Sequence, residues 1–287
     1  MLKRSTIQLL RIHFSFFLMP VYLFALSSLL KPNWYRAILI FFILHILVYP
    51  SSNAYNSYMD RDEGSIGGIK TPMQPTRQLF NISIILDGIA IASGFLISNF
   101  FAAGILLYIL ASRAYSYRGV RLKKYPLIGY LTVIIFQGSV TFWLVCYGSH
   151  PIKSTHVPVS GMLASALLIG GLYPLTQIYQ HDADRKDGVT SISSLLGYRG
   201  TFVFSGIVFF CAFVVLGYYF FSGLEMKQFL LVQIFMIPVV VYFFVWAGRV
   251  WKNKSAADFA STMKMNILAS CCTNAAFISL LILRFFE

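Results

Sequence analysis

Two short segments of this 287-residue chain repeat one order of polar side chains: carboxamide, carboxamide, carboxylate. The residues are Asn53, Asn56 and Asp60 in the first segment, and Gln177, Gln180 and Asp184 in the second. The spacing i, i+3, i+7 places each trio on one face of a helix. Their oxygens are hard ligands that suit Mg²⁺, which proteins usually bind through one or two carboxylates together with substrate phosphates. The residue types therefore indicate a site for a metal-bound phosphate.

Acidic side chains are rare elsewhere in the chain. The sequence holds ten Asp and Glu residues, and six of them lie in or beside the two segments. The six are Asp60, Asp62, Glu63, Asp182, Asp184 and Asp187. A single acid at a helix end is an ordinary solvated group. Two clusters of acids indicate a shared role.

A basic run extends from Arg113 to Lys124. Within it, Arg121 and Lys123 are suited to contact phosphate oxygens that a metal leaves exposed. We assign Arg113, Arg118 and Lys124 to membrane topology alone.

The elements that carry these residues are membrane spans. The chain is 57% apolar and only 11% charged, whereas soluble domains carry roughly 25% charged residues. Apolar windows of roughly 20 residues, enough to cross a bilayer, recur along the whole chain. We place them near 7–30, 36–56, 79–98, 100–117, 128–148, 159–180, 200–222, 227–248 and 264–285. The sequence thus predicts an all-α, polytopic membrane protein of about nine helices, forming a single domain over 1–287.

The distribution of Lys and Arg predicts the orientation. Of 23 such residues, 18 lie before or near the start of the first span, or near or after the ends of spans two, four, six and eight, which leaves five in the alternate segments. By the positive-inside rule, we expect the N-terminus and both acidic segments to be cytoplasmic and the C-terminus to lie on the other side. The net charge of +13 is dispersed between spans rather than gathered in one patch, so we expect no nucleic-acid partner.

The two acidic segments end spans that lie four spans apart. We infer a weak internal duplication of spans 1–4 and 5–8, with span nine added. Internal symmetry of this kind places a shared site at the repeat interface. We therefore expect the helices to surround a central cavity with a polar mouth on the cytoplasmic side.

Three motifs, in order, resemble those of the UbiA superfamily of intramembrane prenyltransferases. Asn56-Ser-Tyr-Met-Asp60 resembles its N-x-x-x-D motif, and Tyr115-Ser-Tyr-Arg-Gly-Val-Arg121-Leu-Lys123 is similar to its Y-S-x-x-x-x-R-L-K loop. Asp182-Ala-Asp184-Arg-Lys-Asp187 resembles its second acidic motif. The resemblance covers essentially the whole chain.

Two positions depart from the superfamily's pattern. Its first motif often continues to a further Asp where this chain has Gly64, and its second motif usually begins with an Asp where this chain has Gln180. Either neighbouring acids such as Asp62, Asp182 and Asp187 substitute, or the protein binds fewer metal ions. We favour substitution.

The resemblance implies a mechanism in which Mg²⁺ and fixed cations ionise an allylic prenyl diphosphate. It implies metal ligation by Asn56, Asp60 and Asp184, with Asp182 and Asp187 assisting. Diphosphate binding falls to Arg121, Lys123, Asn53, Gln180 and Lys70, the last in a Gly-rich loop that could close over the site or remain solvated. Tyr115 would face the allylic cation or orient the diphosphate, unless it is an interfacial tyrosine.

Two alternatives remain open at the level of sequence. One is a secondary transporter of an anionic substrate, although transporters gather their polar residues near the bilayer midplane rather than at span ends. The other is a non-catalytic lipid-binding relative. We expect a prenyl diphosphate donor, a lipophilic acceptor and membrane lipid as partners. No residue selects the acceptor, the length of the donor chain or the oligomeric state.

Overall fold

A computed structural model describes residues 1–286 of the chain. Over these residues it is helical, without a strand of regular length, and is built on nine long helices. They are α1 (Arg4–Ser27), α2 (Trp34–Asp60), α3 (Arg77–Phe95), α4 (Asn99–Ser116), α5 (Pro126–Ser149), α6 (Val159–Lys186), α7 (Ile192–Ser222), α8 (Met226–Lys252) and α9 (Phe259–Phe286).

Eight of the nine helices are long and apolar enough to cross a membrane, judged by length and composition over the described residues. The exception is α4, whose 18 residues begin with Asn99 and end in the polar sequence Arg-Ala-Tyr-Ser. The all-α, multi-pass architecture predicted from the sequence is confirmed. The internal duplication stays a prediction.

Several helices change their hydrogen-bonding pattern along their length. A 3₁₀ segment, Ile12–Phe17, interrupts α1, and π-helical segments cover Phe42–Val48 in α2 and Ile134–Val140 in α5. A π-helical turn shifts the register of the residues that follow it, so it changes which side chains face the neighbouring helices. In α2 the shifted residues include the first acidic segment.

The helices that end in acidic segments are longer than their apolar windows. The α2 helix continues to Asp60, four residues beyond the predicted limit, and stops where Arg61 adopts φ 54°. The α6 helix continues through a 3₁₀ turn, Ile178–Gln180, to Lys186. Hydropathy marks only the part of a helix within hydrocarbon, so both acidic segments are carried on helix ends that extend past it.

Aromatic rings join the helices in the centre of the molecule. Phe24 of α1 stacks on Phe277 of α9, with ring centroids 4.7 Å apart, and lies 5.0 Å from Phe142 of α5. All three are almost fully buried. The α5 and α6 backbones meet at Gly138, where an added Cβ would lie 2.5 Å from the Cα of Ala166. Close backbone contact of this kind is typical of helix pairs in membranes.

Candidate functional site

The polar ends of α2 and α6 line one cavity of about 720 Å³. We call it the polar cavity. Its acidic lining residues are Asp60, Asp62, Glu63, Asp184 and Asp187, and its carboxamides are Asn53, Asn56, Gln137, Gln177, Gln180 and Asn266. The two segments with matching polar order therefore face a common space.

The side chain of Asp60 is enclosed, with 4% of its surface exposed. One carboxylate oxygen forms an ion pair with Lys123. The other lies 3.8 Å from the guanidinium of Arg121 and has no hydrogen-bond partner among the described residues. A buried carboxylate oxygen without a hydrogen bond is unfavourable unless a ligand contacts it. Asp60 thus presents an oxygen suited to a cation.

Arg121 connects the two acidic segments. It lies in the loop after α4, and besides approaching Asp60 it donates to both the carboxylate and the backbone carbonyl of Asp187, the latter at 3.1 Å. Arg118 lies 3.8 Å from the same carboxylate but is largely exposed. The positive φ of Arg121, 49°, turns the loop so that Lys123 also reaches Asp60. One short loop thus brings two cations between the acids of α2 and α6.

Helices α2 and α4 are held together by polar contacts one turn apart. The Ser52 hydroxyl lies 2.5 Å from that of Ser112, and the Asn56 amide donates to the Ser116 hydroxyl at 2.9 Å. All four residues line the polar cavity. The contact to Ser116 fixes which end of the Asn56 amide is used as a donor, so its oxygen remains available as a ligand.

Three side chains of α4 and α6 form a second polar group. The hydroxyls of Tyr115 and Tyr173 are hydrogen-bonded to each other, and the Gln177 amide donates to the Tyr173 hydroxyl at 2.9 Å. The Gln177 oxygen is buried and has no hydrogen-bond partner among the described residues. Tyr115 is therefore held inside the cavity by α6, not left at the membrane surface.

Crowding of the carboxylates affects Asp62, in the loop after α2. Burial of the carboxyl, reinforced by the neighbouring Asp60 carboxylate, raises the pKa of Asp62 to about 6. Both effects disfavour the negative charge, and Lys123 offsets them in part. A cation bound nearby would favour the ionised form.

The loop between α2 and α3, residues 61–76, covers one side of the cavity. The Gln180 amide donates to the Ser65 carbonyl at 3.1 Å. Arg11 of α1 donates to the Gly67 carbonyl at 3.4 Å and to the Asn53 carbonyl at 3.3 Å. Gln180 therefore attaches the loop to α6, a contact that an ionised Asp could not make because it has no donor.

Arg11 is a lining residue that the sequence analysis missed. It is 6% exposed and has no carboxylate within 4.0 Å among residues 1–286. We counted it only as a topology signal, although an arginine inside an apolar window is unusual enough to indicate a polar cavity.

Asp87 and Arg113 form a buried ion pair behind the cavity. The Ser51 hydroxyl donates to Asp87 at 2.6 Å, and the guanidinium carbon of Arg113 lies 4.0 Å from the centre of the Tyr55 ring. The assignment of Arg113 to topology alone is therefore wrong, because its charge neutralises Asp87 between α3 and α4.

Most residues proposed from the sequence reach the polar cavity. Those that line it are Asn53, Asn56, Asp60, Tyr115, Lys123, Gln180, Asp184 and Asp187. Arg121 lies behind the lining and contacts Asp60 and Asp187. Lys70 and Asp182 are exposed and do not line the cavity. The roles assigned to all of these residues stay predictions.

The donor set fits a metal held jointly with a phosphate ligand rather than by protein alone. Among residues 1–286, no group of three or more His, Cys, Asp or Glu side chains is arranged to hold a metal ion. The cavity nevertheless offers carboxylate and amide oxygens, including those of Asp60 and Gln177 that lack hydrogen bonds. Mg²⁺ characteristically uses few protein ligands and completes its shell with water and phosphate.

Fold and cavity together define a helical membrane protein with a polar site at one end of its helices. The model of the UbiA prenyltransferase family matches residues 15–268. The chain therefore belongs to the UbiA prenyltransferase family, as its motifs indicated. Comparison with curated protein sequences gives no match.

Solved structures show the same fold. A UbiA homologue from Archaeoglobus fulgidus bound to GPP and Mg²⁺ is 17% identical with a TM-score of 0.68, over 96% of this chain and 99% of that one. The apo UbiA homologue from Aeropyrum pernix K1 is 20% identical with a TM-score of 0.65, over 93% and 97%. A structure described as digeranylgeranylglyceryl phosphate synthase is 16% identical with a TM-score of 0.60, over 97% of both chains.

Proposed function

We propose that the protein transfers a prenyl group from an allylic prenyl diphosphate to a lipophilic acceptor within the membrane. The observation that carries this proposal is the meeting of two acidic helix ends and the Arg121–Lys123 loop at one cavity. The Archaeoglobus fulgidus homologues bound to DMAPP or GPP with Mg²⁺ support it.

In this proposal the oxygens of Asn56, Asp60 and Asp184 would hold Mg²⁺, and Asp187 and Asp62 would complete the acidic surface. The metal supplies Lewis-acid neutralisation of diphosphate charge. Asp182 has no part here because its exposed side chain lies outside the cavity lining.

Lys123 and Arg121 bind the diphosphate in competition with their present partners, Asp60 and Asp187. Charged donors fixed where negative charge develops lower the barrier to cleavage of the bond between the prenyl C1 and oxygen. The bonding electrons leave with diphosphate, C1 bonds to the acceptor, and the acceptor releases one proton. Products are the prenylated acceptor, diphosphate and a proton.

Part of the cavity lining is less polar and suits the prenyl tail. Tyr108, Val133 and Phe136 form this part, with the rings of Tyr108 and Phe136 centred 6.0 Å apart. Tyr115, fixed by Tyr173, lines the same cavity, and in this proposal its ring stabilises the allylic cation.

Lys123→Met tests the proposal because it removes one diphosphate contact and keeps much of the side-chain length. We expect kcat for release of diphosphate from geranyl diphosphate to fall about 10²- to 10³-fold, and EDTA to abolish release from the wild type. Lys124→Met, at an exposed neighbouring site, is the matched control.

Other outcomes would favour the alternatives. Geranyl diphosphate that binds and is recovered intact in the presence of every acceptor offered would indicate a lipid-binding relative. Its passage across sealed vesicles without cleavage would indicate a transporter.

We also propose that the polar cavity faces the cytoplasm. The excess of Lys and Arg in the connections at this end of the helices supports that orientation. It would give the enzyme access to a water-soluble donor from the cytoplasm and to a lipophilic acceptor from the bilayer.

A further inference from the structure

A second cavity of about 260 Å³ lies among α1, α6, α7, α8 and α9. We call it the apolar pocket, and its walls are mostly aromatic and aliphatic. Representative lining residues are Phe17, Leu168, Phe209, Phe243, Ala269 and Ser270. Nothing in the proposed chemistry uses these residues.

The apolar pocket is next to the polar cavity along three helices. On each helix, a residue lining one cavity lies within one turn of a residue lining the other. The pairs are Phe14 and Phe17 on α1, Tyr173 and Leu172 on α6, and Asn266 and Ala269 on α9. A molecule in the apolar pocket would therefore lie close to the polar cavity.

Two serines of the apolar pocket have hydroxyls without hydrogen-bond partners among the described residues. Ser165 of α6 is 0% exposed and Ser270 of α9 is 1% exposed. Buried helical hydroxyls ordinarily donate to the carbonyl of the preceding turn, as Thr273 does to Ala269 at 2.7 Å. A buried hydroxyl without a partner is costly. Both serines line the pocket, from α6 and α9, and rotation of either hydroxyl towards the pocket would let it bond to a ligand.

The lining limits the kind of ligand. The pocket's described lining residues include no charged side chain, and Ser165, Ser270 and Thr273 supply its only side-chain hydroxyls. A carboxylate or phosphate would have no countercharge there. A neutral molecule that is mostly hydrocarbon and carries a hydroxyl or carbonyl matches both features.

The pocket opens on the surface that faces lipid. Phe210 of α7 and Phe244 of α8 line it, yet they are 69% and 67% exposed. An apolar molecule dissolved in the bilayer can reach the pocket between these two helices without crossing water.

We propose that the apolar pocket is the acceptor site, and that it takes a neutral, mostly hydrocarbon acceptor whose hydroxyl or carbonyl bonds to Ser165 and Ser270. The assignment as acceptor site rests on the proposed transferase function. It adds a class of acceptor and the residues that select it.

Photolabelling of the purified full-length protein, with no prenyl diphosphate present, tests the site directly. The probes are diazirine-bearing hexadecanol, its hydrocarbon analogue without the hydroxyl, and the matching carboxylic acid. We expect the alcohol to label peptides of α6 and α9 more strongly than either analogue. In Ser165→Ala/Ser270→Ala, its apparent affinity should fall about tenfold, as for loss of a buried hydrogen bond.

Thr273→Val is the matched control, because it removes a hydroxyl from the same pocket that already has a partner. It should keep the labelling of the wild type. A melting temperature for each variant shows that the fold is retained. Equal labelling by alcohol and hydrocarbon, or labelling by the alcohol that survives the double substitution, would overturn the proposal and indicate a pocket filled by lipid chains.

Transfer activity separates this proposal from the one on which it rests. If the wild type transfers prenyl groups but the labelling does not depend on Ser165 and Ser270, the assignment of the acceptor site is overturned and the transferase function is not. Labelling that depends on the serines in a protein without any transfer activity would overturn the transferase function and, with it, the assignment of the ligand as an acceptor.

Discussion

Asp60 and Asp187 form ion pairs with Lys123 and Arg121, and a bound ligand could exchange these partners. Lys123 and Arg121 now neutralise them across the cavity. Isolated buried charges are more costly than paired ones, so removing one partner would leave an unfavourable charge at the cavity. A bound diphosphate would pair with Lys123 and Arg121 in place of the carboxylates. A bound metal would pair with the carboxylates in place of Lys123 and Arg121.

Asp87→Ala tests the buried pair behind the site. It leaves the Arg113 charge without its carboxylate, so we expect a loss of about 3–5 kcal/mol in stability. Thermal unfolding in detergent measures it. Arg118→Ala is the control: it removes one side of an exposed pair, worth at most about 1 kcal/mol, and an exposed hydrogen bond to the Met59 carbonyl. Equal effects of the two substitutions would contradict the account of Asp87.

Gly64→Asp tests whether the missing acid of the first motif weakens metal binding. Gly64 lines the polar cavity, and a Cβ added there would meet nothing within 4 Å. An added carboxylate raises the charge of the site, which tunes metal affinity. We expect the Mg²⁺ concentration for half-maximal activity to fall, by comparison with Gly64→Asn. Unchanged Mg²⁺ dependence would show that the neighbouring acids already suffice.

Site residues were predictable from the sequence where their side-chain chemistry is unusual in a membrane protein. The carboxamide–carboxylate segments and Lys123 were found because polar groups are scarce between apolar spans. The partners of Asp87 and Arg11 were not found, because spacing along the chain does not specify contacts between helices. The exposed position of Asp182 was not found either, because spacing alone cannot tell on which side of a short helical turn a carboxylate lies.

At the scale of elements, the ends of α2 and α6 and the loop between α2 and α3 position the residues of the site. The loop 61–76 is attached at Ser65 by Gln180 and at Gly67 by Arg11. The departure at Gln180 therefore has a structural explanation, since it supplies a donor in place of a carboxylate. Hydropathy located the spans but not their polar extensions, because the last turns of α2 and α6 lie outside the apolar windows.

Gly68→Ala tests whether the position of the loop 61–76 affects donor binding. Gly68 has φ 82°, and an added Cβ would lie 2.7 Å from Nε2 of His13. The positive φ alone costs about 1–2 kcal/mol for a residue with a side chain, equivalent to a factor of about 5–30. We expect KM for geranyl diphosphate to rise within that range and trypsin to cleave the loop faster.

Gly64→Ala is the control for this prediction, because it lies in the same loop with free space around it. It should leave both KM and the rate of cleavage close to those of the wild type. A normal KM for Gly68→Ala would show that the position of the loop does not affect donor binding.

At the scale of the whole molecule, the proposed orientation places the polar cavity and the N-terminus in the cytoplasm, so the loop after α4 and the connection between α5 and α6 should lie on opposite sides of the membrane. We expect Lys124→Cys, in the loop after α4, to react with a membrane-impermeant maleimide only after permeabilisation of cells. His156→Cys, between α5 and α6, should react in intact cells. Both positions are exposed, and a cysteine-free background removes the four native thiols. The opposite pattern would reverse the proposed orientation.

The overall architecture was predictable because long apolar windows admit few structures other than membrane helices. The path of the helices around two neighbouring cavities was not, since lining residues such as Ser165 and Ser270 come from distant parts of the chain. Their free hydroxyls are recognisable only when the carbonyls around them are known.

The most direct test of the central claim is the Mg²⁺-dependent transfer of label from geranyl diphosphate to membrane lipid. Asp60→Asn and Asp184→Asn should each lower the rate by at least about tenfold, because each removes a charged oxygen ligand. Asp182→Asn, in the same segment but exposed, should remain close to the wild type. Full transfer by Asp60→Asn and Asp184→Asn, or transfer that is equally rapid without Mg²⁺, would contradict the account.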